Sequence, residues 1–189
     1  MSAEDASSVR SFVALELEDR VRRQMADLQQ RLRPSLAGIR FVRPEGIHLT
    51  LRFLGWAPPD KTGRLLPALA AAAAACPPAE ARVAGLGTFP ERGSPRVLWL
   101  GIEVPETLLE LQRQCERAAR AAGFEPEPRP FRAHLTLGRW RDRAPHPELP
   151  AIELGSTRLD ALVLYRSELR RDGAVYTPLE GFPLGVAAG

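Results

Sequence analysis

The tetrapeptide His-Leu-Thr-Leu occurs twice in this chain, letter for letter, at His48–Leu51 and at His134–Leu137. The chain has only three histidines and seven threonines. Two histidines followed by a threonine at the same spacing would therefore arise by chance with a probability of about one in 250, before the shared leucines are counted. Chance is therefore a poor explanation of the repeat. If both copies form strands, the repeat constrains the fold by bringing these two strands side by side.

Side chains alternate between the two faces of a strand, so each copy predicts one polar face and one apolar face. In the first copy the expected polar face is formed by His48, Thr50 and Arg52, and the expected apolar face by Leu49, Leu51 and Phe53. In the second copy His134 and Thr136 take the polar positions, and Gly138 follows on that face with open room where Arg52 stands in the first. Two such strands side by side would present two imidazoles and two hydroxyls to one cleft.

This set of side chains suits chemistry on a phosphodiester. Imidazole has an ordinary pKa near 6.5, so both protonation states are available at neutral pH and a pair can act as base and acid on opposite sides of one bond. Threonine hydroxyls can donate hydrogen bonds to the non-bridging oxygens of a phosphate. The sequence therefore predicts in-line phosphodiester cleavage without a metal, and it does not distinguish which histidine is the acid.

Other kinds of site find little support. The sequence has no G-x-S-x-G nucleophile elbow, no Walker-type loop and no G-x-G-x-x-G stretch. Cys76 and Cys115 fall on expected helix faces, and with three histidines they nearly exclude a zinc or iron–sulfur site. We expect no cofactor and no metal. The third histidine, His146, lies in a proline-bearing loop and is expected to be structural or solvated.

Composition and length fit one cytoplasmic domain. The 189 residues, 44% of them hydrophobic, suffice for a single core, and no apolar run approaches the roughly 20 residues that span a bilayer. Residues 1–8 lack the basic start and apolar stretch of a signal peptide. Two cysteines are too few for a disulfide scaffold, so we expect a reduced cytoplasmic protein without a membrane partner.

The hydrophobic pattern predicts about three helices and eight strands, which indicates an α+β domain with mostly antiparallel sheet. Two amphipathic helices are indicated by the stripes Val21, Met25, Leu28, Leu32 and Leu108, Leu111, Cys115, Ala118. A third helix is expected from a cap at Asp60 to Cys76, with a kink or a later start because of Pro67. Expected strands cover residues 11–17, 40–42, 47–54, 82–89, 97–104, 133–139, 158–167 and 174–179, the last two joined by a turn at Asp172-Gly173.

The net charge is only +3, but 25 of the 26 basic residues are arginines, whose planar fork suits bidentate contacts to phosphate. Near the two motifs the arginines are about twofold enriched over their average frequency; they are Arg40, Arg43, Arg52, Arg129, Arg132, Arg139, Arg141 and Arg143. Four aromatic residues near the motifs are equally consistent with base stacking and with the core, namely Phe41, Trp56, Phe131 and Trp140.

The strings around both motifs resemble the two-histidine (2H) phosphoesterase superfamily, and most closely its RNA 2′,3′-cyclic phosphodiesterases, also called 2′-5′ RNA ligases. The resemblance spans nearly the whole chain in order; it rests on Arg10–Leu15, Val42–Gly55, Pro95–Gly101, Arg132–Arg139, Leu164–Leu169 and Tyr176–Leu179. It implies a bilobal α+β fold with pseudo-twofold symmetry, mostly antiparallel sheets and helices packed outside a central cleft. One departure is Ala133, which stands where relatives often have a proline.

The resemblance also implies an activity and roles for five residues. It implies opening of a terminal RNA 2′,3′-cyclic phosphate to a 2′-phosphate, without a metal, and 2′-5′ RNA ligation in reverse. His48 would donate a proton to the departing 3′ oxygen, and His134 would accept a proton from the attacking water. Thr50 and Thr136 would hold the phosphate oxygens, and Arg139 would assist.

We therefore expect one bilobal domain over residues 9–183, with loose termini at 1–8 and 184–189. We expect a monomer whose partners are RNA ends or nucleotides with a 2′,3′-cyclic phosphate. Two alternatives remain open from the sequence. One is a phosphodiesterase acting on a small cyclic nucleotide-type phosphate, and the other is a noncatalytic binder of phosphorylated RNA ends.

Overall fold

The computed structural model describes residues 8–170 and 173–185, which form nine strands, three α-helices and one 3-10 helix. In chain order these are β1 (Val9–Leu15), α1 (Asp19–Leu32), β2 (Ile39–Phe41), the 3-10 helix (Pro44–Gly46), β3 (Leu49–Ala57), α2 (Pro59–Ala75), β4 (Ala79–Phe89), β5 (Val97–Glu103), α3 (Glu106–Ala121), β6 (His134–Trp140), β7 (Glu153–Leu159), β8 (Ala161–Arg170) and β9 (Gly173–Pro183). Helices combined with an antiparallel sheet confirm the predicted α+β class.

The strands form one sheet in the order β7-β4-β5-β6-β3-β1-β8-β9, with β2 alongside β6, and every described pairing is antiparallel. The two motif strands, β3 and β6, meet at the centre through one residue pair, Leu49 and Leu135. On each side of this junction the order repeats. The first lobe consists of β3, β1, β8 and β9, and the second of β6, β5, β4, β7 and β2. This arrangement confirms the predicted bilobal, pseudo-twofold fold.

The main core lies on the sheet face to which the helices contribute. Both predicted amphipathic stripes are buried along their full length, in α1 and in α3, which confirms those two predictions. The leucines of the motifs are buried in the same core as these helices. The opposite face carries a small second cluster made of Phe12, Ala14, Val163 and Tyr165. The polar residues of the motifs therefore belong to the face that the helices leave uncovered.

Helix α2 differs from its prediction at its start. It begins at Pro59, with Pro58 as the capping residue, so Asp60 lies in the first turn and is not the cap. A proline at the first position has no amide hydrogen to leave unsatisfied, which makes it a suitable start. The helix continues through Pro67, so the expected later start is wrong. Burial of Leu65, Leu69 and Ala73 holds the helix against the core despite the proline.

Two further predictions need correction near the C-terminus. The single strand expected at 158–167 is two strands, β7 and β8, which separate at Asp160 and pair with different neighbours. The expected loose end at 184–189 begins too early, because Leu184 is only 3% exposed and its amide donates to the carbonyl of Asp160. The expected turn residue Asp172 lies outside the described residues, as do residues 1–7 and 186–189.

Candidate active site

The pairing of the two motif strands brings four predicted site residues onto one face. Because Leu49 lies opposite Leu135 in an antiparallel pair, His48 stands across from Thr136, and Thr50 stands across from His134. The leucines point into the core, so the histidines and threonines point to the other face. The charge of His134 also acts on His48 and lowers its pKa. The site therefore has the symmetry of the sequence repeat.

The expected alternation ends at the fourth residue of the first motif. In the ladder between β1 and β3, Val13 lies opposite Arg52, whereas the next residue, Ala14, lies opposite Thr50. Leu51 is therefore an extra residue, which makes a β-bulge. A bulge of one residue reverses the faces of the side chains that follow it, as far as the next bulge, which Leu54 makes in the same ladder.

This bulge overturns the prediction that Arg52 shares the face of His48. The Arg52 side chain is 5% exposed, and its Nε lies 2.5 Å from a carboxylate oxygen of Glu116 on α3. The guanidinium also donates to the backbone carbonyls of Phe53 and Glu125. Phe53, expected in the core, is 51% exposed. Arg52 thus joins a strand to a helix, and Phe53 takes the cleft-facing position.

The second motif contains the same bulge. Leu98 of β5 lies opposite Gly138, whereas Trp99 lies opposite Thr136, so Leu137 is the extra residue. The open room expected at Gly138 is absent, because a Cβ there would lie 2.7 Å from Cδ1 of Ile39. A side chain at this position would have to displace Ile39 of β2.

Beyond the second bulge, Arg139 turns to the cleft side. The residue is exposed, and its charge lowers the pKa values of both His134 and Tyr176. Arg139 therefore lies within electrostatic reach of the histidine pair, on the side of His134. The strand register and these charge effects put Arg139 near His134, on the sheet face that carries the motif histidines and threonines.

Two glutamines that the sequence analysis missed hold the bulges. Nε2 of Gln29, on α1, donates to the carbonyl of Leu137 at 3.0 Å and to that of Val42 at 2.8 Å. Nε2 of Gln112, on α3, donates to the carbonyl of Leu51 at 3.4 Å. The sequence signal was a glutamine directly after a leucine of each helical stripe, at Leu28 and at Leu111.

His48 sits among aromatic rings. It stacks on Phe12 with 4.5 Å between ring centroids, meets Tyr176 edge-on at 5.2 Å and lies 5.8 Å from Tyr165. The pKa of His48 is lowered to about 4, mainly by burial and also by the charges of Arg22 and His134. A backbone hydrogen bond at Gly46 favours the charged form and opposes this shift. Burial also raises the pKa values of the Tyr165 and Tyr176 hydroxyls, which remain neutral. The His48 ring is therefore neutral at neutral pH.

His134 is held by a different set of contacts. The edge of its ring meets Phe89 at 5.1 Å, and Nδ1 lies 2.7 Å from the carbonyl oxygen of Arg132. A carbonyl only accepts, so Nδ1 carries the hydrogen and Nε2 of the neutral ring has a free lone pair. Burial lowers the pKa of His134, opposed by the Arg132 hydrogen bond and supported by the charges of Arg139 and Arg132. His134 is thus oriented as a proton acceptor.

Of the aromatic side chains and the third histidine noted in the sequence, some lie in or against the core and others lie at the surface. Trp140 is buried, with Nε1 donating to the carbonyl of Ala37. Phe41 and Phe131 are half-buried against the core, whereas Trp56 is 71% exposed. His146 is exposed and hydrogen-bonded to the hydroxyl of Thr88 at 3.0 Å, outside the four-residue site.

The described residues contain no group of three or more His, Cys, Asp or Glu side chains arranged to hold a metal ion. Within the same ranges, each helix is too short or too polar to cross a membrane.

Comparison with known proteins agrees with this geometry. The family model described as LigT like Phosphoesterase matches the chain in two segments, residues 15–99 and 100–176, and each segment contains one motif. A protein of Methanothermobacter thermautotrophicus named RNA 2′,3′-cyclic phosphodiesterase is 37% identical over 183 residues, covering 93% of this chain and 99% of the relative. One of the same name from Thermus thermophilus is 35% identical over 186 residues, covering 93% and 90%.

Solved structures show the same fold. E. coli LigT complexed with 3′-AMP superposes with a TM-score of 0.83 at 28% identity, covering 94% of this chain and 98% of that one. A Thermus thermophilus protein of known crystal structure gives a TM-score of 0.82 at 33% identity, covering 93% and 98%. With a family model matched on both halves, relatives alike over nearly their full length and a shared fold, the chain belongs to the LigT-like phosphoesterase family, within the two-histidine phosphoesterases.

Proposed function

We propose that this protein is an RNA 2′,3′-cyclic phosphodiesterase, which opens a terminal cyclic phosphate to a 2′-phosphate without a metal. The observation that carries the proposal is the antiparallel pairing of Leu49 with Leu135, which joins the two motifs at the centre of the sheet. Relatives at 37% and 35% identity bear this activity as their name. One chain supplies both motifs, so we propose that a monomer is sufficient.

In the proposed reaction, His134 accepts a proton from a water molecule through Nε2 as the water oxygen attacks phosphorus. A bond forms between that oxygen and phosphorus, while the bond from phosphorus to the 3′ oxygen breaks in line with it. The electron pair leaves on the 3′ oxygen, which takes a proton from His48. Thr50 and Thr136 donate to the non-bridging oxygens, where charge accumulates. The products are a 2′-phosphate and a 3′-hydroxyl.

The assignment of His48 as donor and His134 as acceptor follows the family resemblance. Nδ1 of His134 donates to the Arg132 carbonyl, which leaves Nε2 of the neutral ring free to accept a proton; His48 has the equivalent backbone hydrogen bond at Gly46. The pKa of His48, about 4, means that few molecules carry the donor proton before substrate binds. An anionic phosphate placed beside the ring favours imidazolium and raises this pKa. Substrate binding therefore increases the fraction of His48 rings that carry the donor proton.

The decisive experiment uses purified protein in EDTA with an oligonucleotide that ends in a 2′,3′-cyclic phosphate. We expect a 2′-phosphate product from the wild type and none from the double variant His48→Ala, His134→Ala. Persistent activity in the double variant, or a 3′-phosphate product, would refute the proposal. A wild-type protein that binds the oligonucleotide but forms no product at any pH would support the noncatalytic alternative.

The pH dependence tests the acid–base pair separately. Activity falls at low pH as His134 becomes protonated, and it falls at high pH as His48 loses its proton. Both pKa values lie below 6.5 in the free protein, so the maximum of kcat/KM should fall below pH 6.5. The profile of kcat should lie at higher pH, because bound phosphate raises both pKa values. A kcat/KM that keeps rising through pH 8 would contradict these roles.

The proposed site also permits 2′-5′ ligation. If the 5′-hydroxyl of a second RNA takes the place of water, the same steps form a 2′-5′ phosphodiester. We expect ligated product to increase with the concentration of 5′-hydroxyl RNA, at the expense of the 2′-phosphate. Separation of the two products on one labelled substrate measures the ratio, and a ratio independent of 5′-hydroxyl RNA would exclude ligation.

A further inference from the structure

Strand β3 carries two exposed aromatic side chains beyond the first bulge. Phe53 is 51% exposed and Trp56 is 71% exposed, and among the described residues these two are the aromatic members of the exposed large hydrophobics. Burial of such rings is ordinarily favourable, so exposed aromatic surface next to a site indicates a contact with a ligand or partner.

Both rings lie on the face of the sheet that presents His48. Phe53 pairs with Phe12 across β1 and β3, and Trp56 pairs with Arg10. Arg10 and Phe12 are two apart on β1, a strand without an extra residue in this ladder, so they share a face. Two residues of a strand span about 7 Å, which is the expected spacing of the two aromatic positions along β1.

Contacts connect this aromatic surface to the candidate site. The ring of Phe53 lies 6.0 Å from that of Phe12, and Phe12 stacks on His48 at 4.5 Å. The sequence from the reacting centre outward is therefore His48, Phe12, Phe53 and then Trp56. The surface is a continuation of the cleft.

The charge beside these rings is positive. Arg10 forms no ion pair with any acidic residue in the part of the chain that the structure describes, and its charge lowers the pKa of Tyr176, which touches His48 edge-on. Exposed aromatic rings interleaved with an arginine suit single-stranded nucleic acid, in which bases stack and phosphates need cations. A protein partner would gain less from the cations on this face, where the charges of Arg10 and Arg139 both act on Tyr176.

We propose that Phe53, Trp56 and Arg10 form a stacking surface for the nucleotides that precede the cyclic phosphate in single-stranded RNA. This inference rests on the proposed function and specifies its substrate class, an oligonucleotide in preference to a mononucleotide. The rings stack bases without regard to sequence, because every base has an aromatic face. Arg10 pairs with a backbone phosphate.

The test compares two substrates, a 2′,3′-cyclic-phosphate tetranucleotide and the matching 2′,3′-cyclic mononucleotide, in wild type and Trp56→Ala. One lost base stack is expected to raise KM for the tetranucleotide about 5- to 100-fold, and to raise it at least about fivefold more than KM for the mononucleotide. Trp56→Phe should restore most of the preference, because stacking needs only an aromatic ring. Leu169→Ala, which removes another exposed apolar side chain, should leave the preference as in wild type.

A binding measurement keeps this proposal separate from the proposed function. Fluorescence anisotropy with a labelled tetranucleotide ending in a 3′-phosphate reports affinity without turnover, and a second tetranucleotide abasic upstream of its end removes the bases. We expect Trp56→Ala to lower the affinity for the first tetranucleotide and to have little effect on the affinity for the abasic one. Unchanged affinity, or equal weakening of both ligands, would overturn the stacking surface. If the wild type hydrolyses neither cyclic substrate, the proposed function fails, and the anisotropy alone decides the stacking surface.

Discussion

The strands of the two lobes are alike around the site and different beyond it. Both motif strands carry a histidine and a threonine on one face, a bulge at the second leucine, and a glutamine hydrogen bond to the bulge carbonyl. After the bulge, β3 presents Phe53 to the cleft, whereas β6 presents Arg139 at the equivalent position. The symmetric part suits a phosphorus atom attacked from one side and left from the other. The asymmetric part gives the two ends of the cleft different chemistry, one aromatic and one cationic.

The largest effect should come from the symmetric part. His48→Ala and His134→Ala should each lower kcat/KM by about 10²- to 10⁴-fold, because each removes one proton-transfer step. The kcat/KM of the double variant should be only slightly below that of the less active single variant, since the two groups act in one transition state. Initial rates on a cyclic-phosphate oligonucleotide measure this, with His146→Ala as the control. A single variant that keeps nearly the wild-type kcat/KM would show that the substituted histidine transfers no proton, although both histidines occupy equivalent positions.

The next prediction contrasts the two arginines that follow the motifs. Arg52→Leu leaves the half-buried carboxylate of Glu116 without its partner and should reduce the free energy of unfolding by about 3 kcal/mol. Arg139→Leu should change that free energy by no more than about 0.5 kcal/mol, because the residue is exposed, but should reduce kcat/KM. Urea unfolding of both variants, followed by rates on the folded proteins, makes the comparison. Equal destabilisation by both substitutions would refute it.

A third prediction concerns stability and pH. The pKa of His48 is about 4 when folded and near 6.5 when unfolded, so the unfolded chain takes up a proton first as the pH falls. The full contribution of neutral His48 is present above pH 6.5 and is lost between pH 6.5 and 4, by about 3 kcal/mol at most. His48→Phe keeps the ring stacking and should flatten this decline relative to wild type.

The matched control is His134→Phe, which should flatten the decline less, because His134 is less enclosed. Unfolding free energies at pH 4.5, 5.5 and 7 decide the matter. Parallel curves for wild type and His48→Phe would mean that His48 titrates at its ordinary pKa.

The smallest expected effects come from the two glutamines that bond to the bulges, and they should differ in size between the two bulges. Gln29→Leu removes hydrogen bonds to the carbonyls of Val42 and Leu137 and should destabilise the protein by about 1–2 kcal/mol. Gln112→Leu removes one longer bond, to Leu51, and should cost about 0.5 kcal/mol. Both should reduce kcat more than they change KM, if the bulges orient the motif strands. Thermal unfolding and steady-state rates test this, and a loss confined to stability would make the glutamines purely structural.

Local periodicity was enough to predict which side chains of each motif share a face. His48, Thr50, His134 and Thr136 follow from two-residue alternation, and both amphipathic stripes follow from helical spacing. The predictions for Arg52 and Gly138 were wrong because each lies beyond a bulge at a leucine, an ordinary strand residue with no local mark of irregularity. The glutamines that hold these bulges lie 108 and 61 residues away in sequence from the carbonyls they bind. Such contacts depend on the folded topology, which no local pattern contains.

The glutamine contacts also cross between the two sequence repeats. α1 precedes the first motif in the chain yet braces the strand of the second, and α3 precedes the second motif yet braces the strand of the first. In the same way β4 pairs with β5, and β8 returns to pair with β1. A fragment carrying one motif should therefore fail to hold its own histidine in place, because the helix that braces its strand belongs to the other half of the chain.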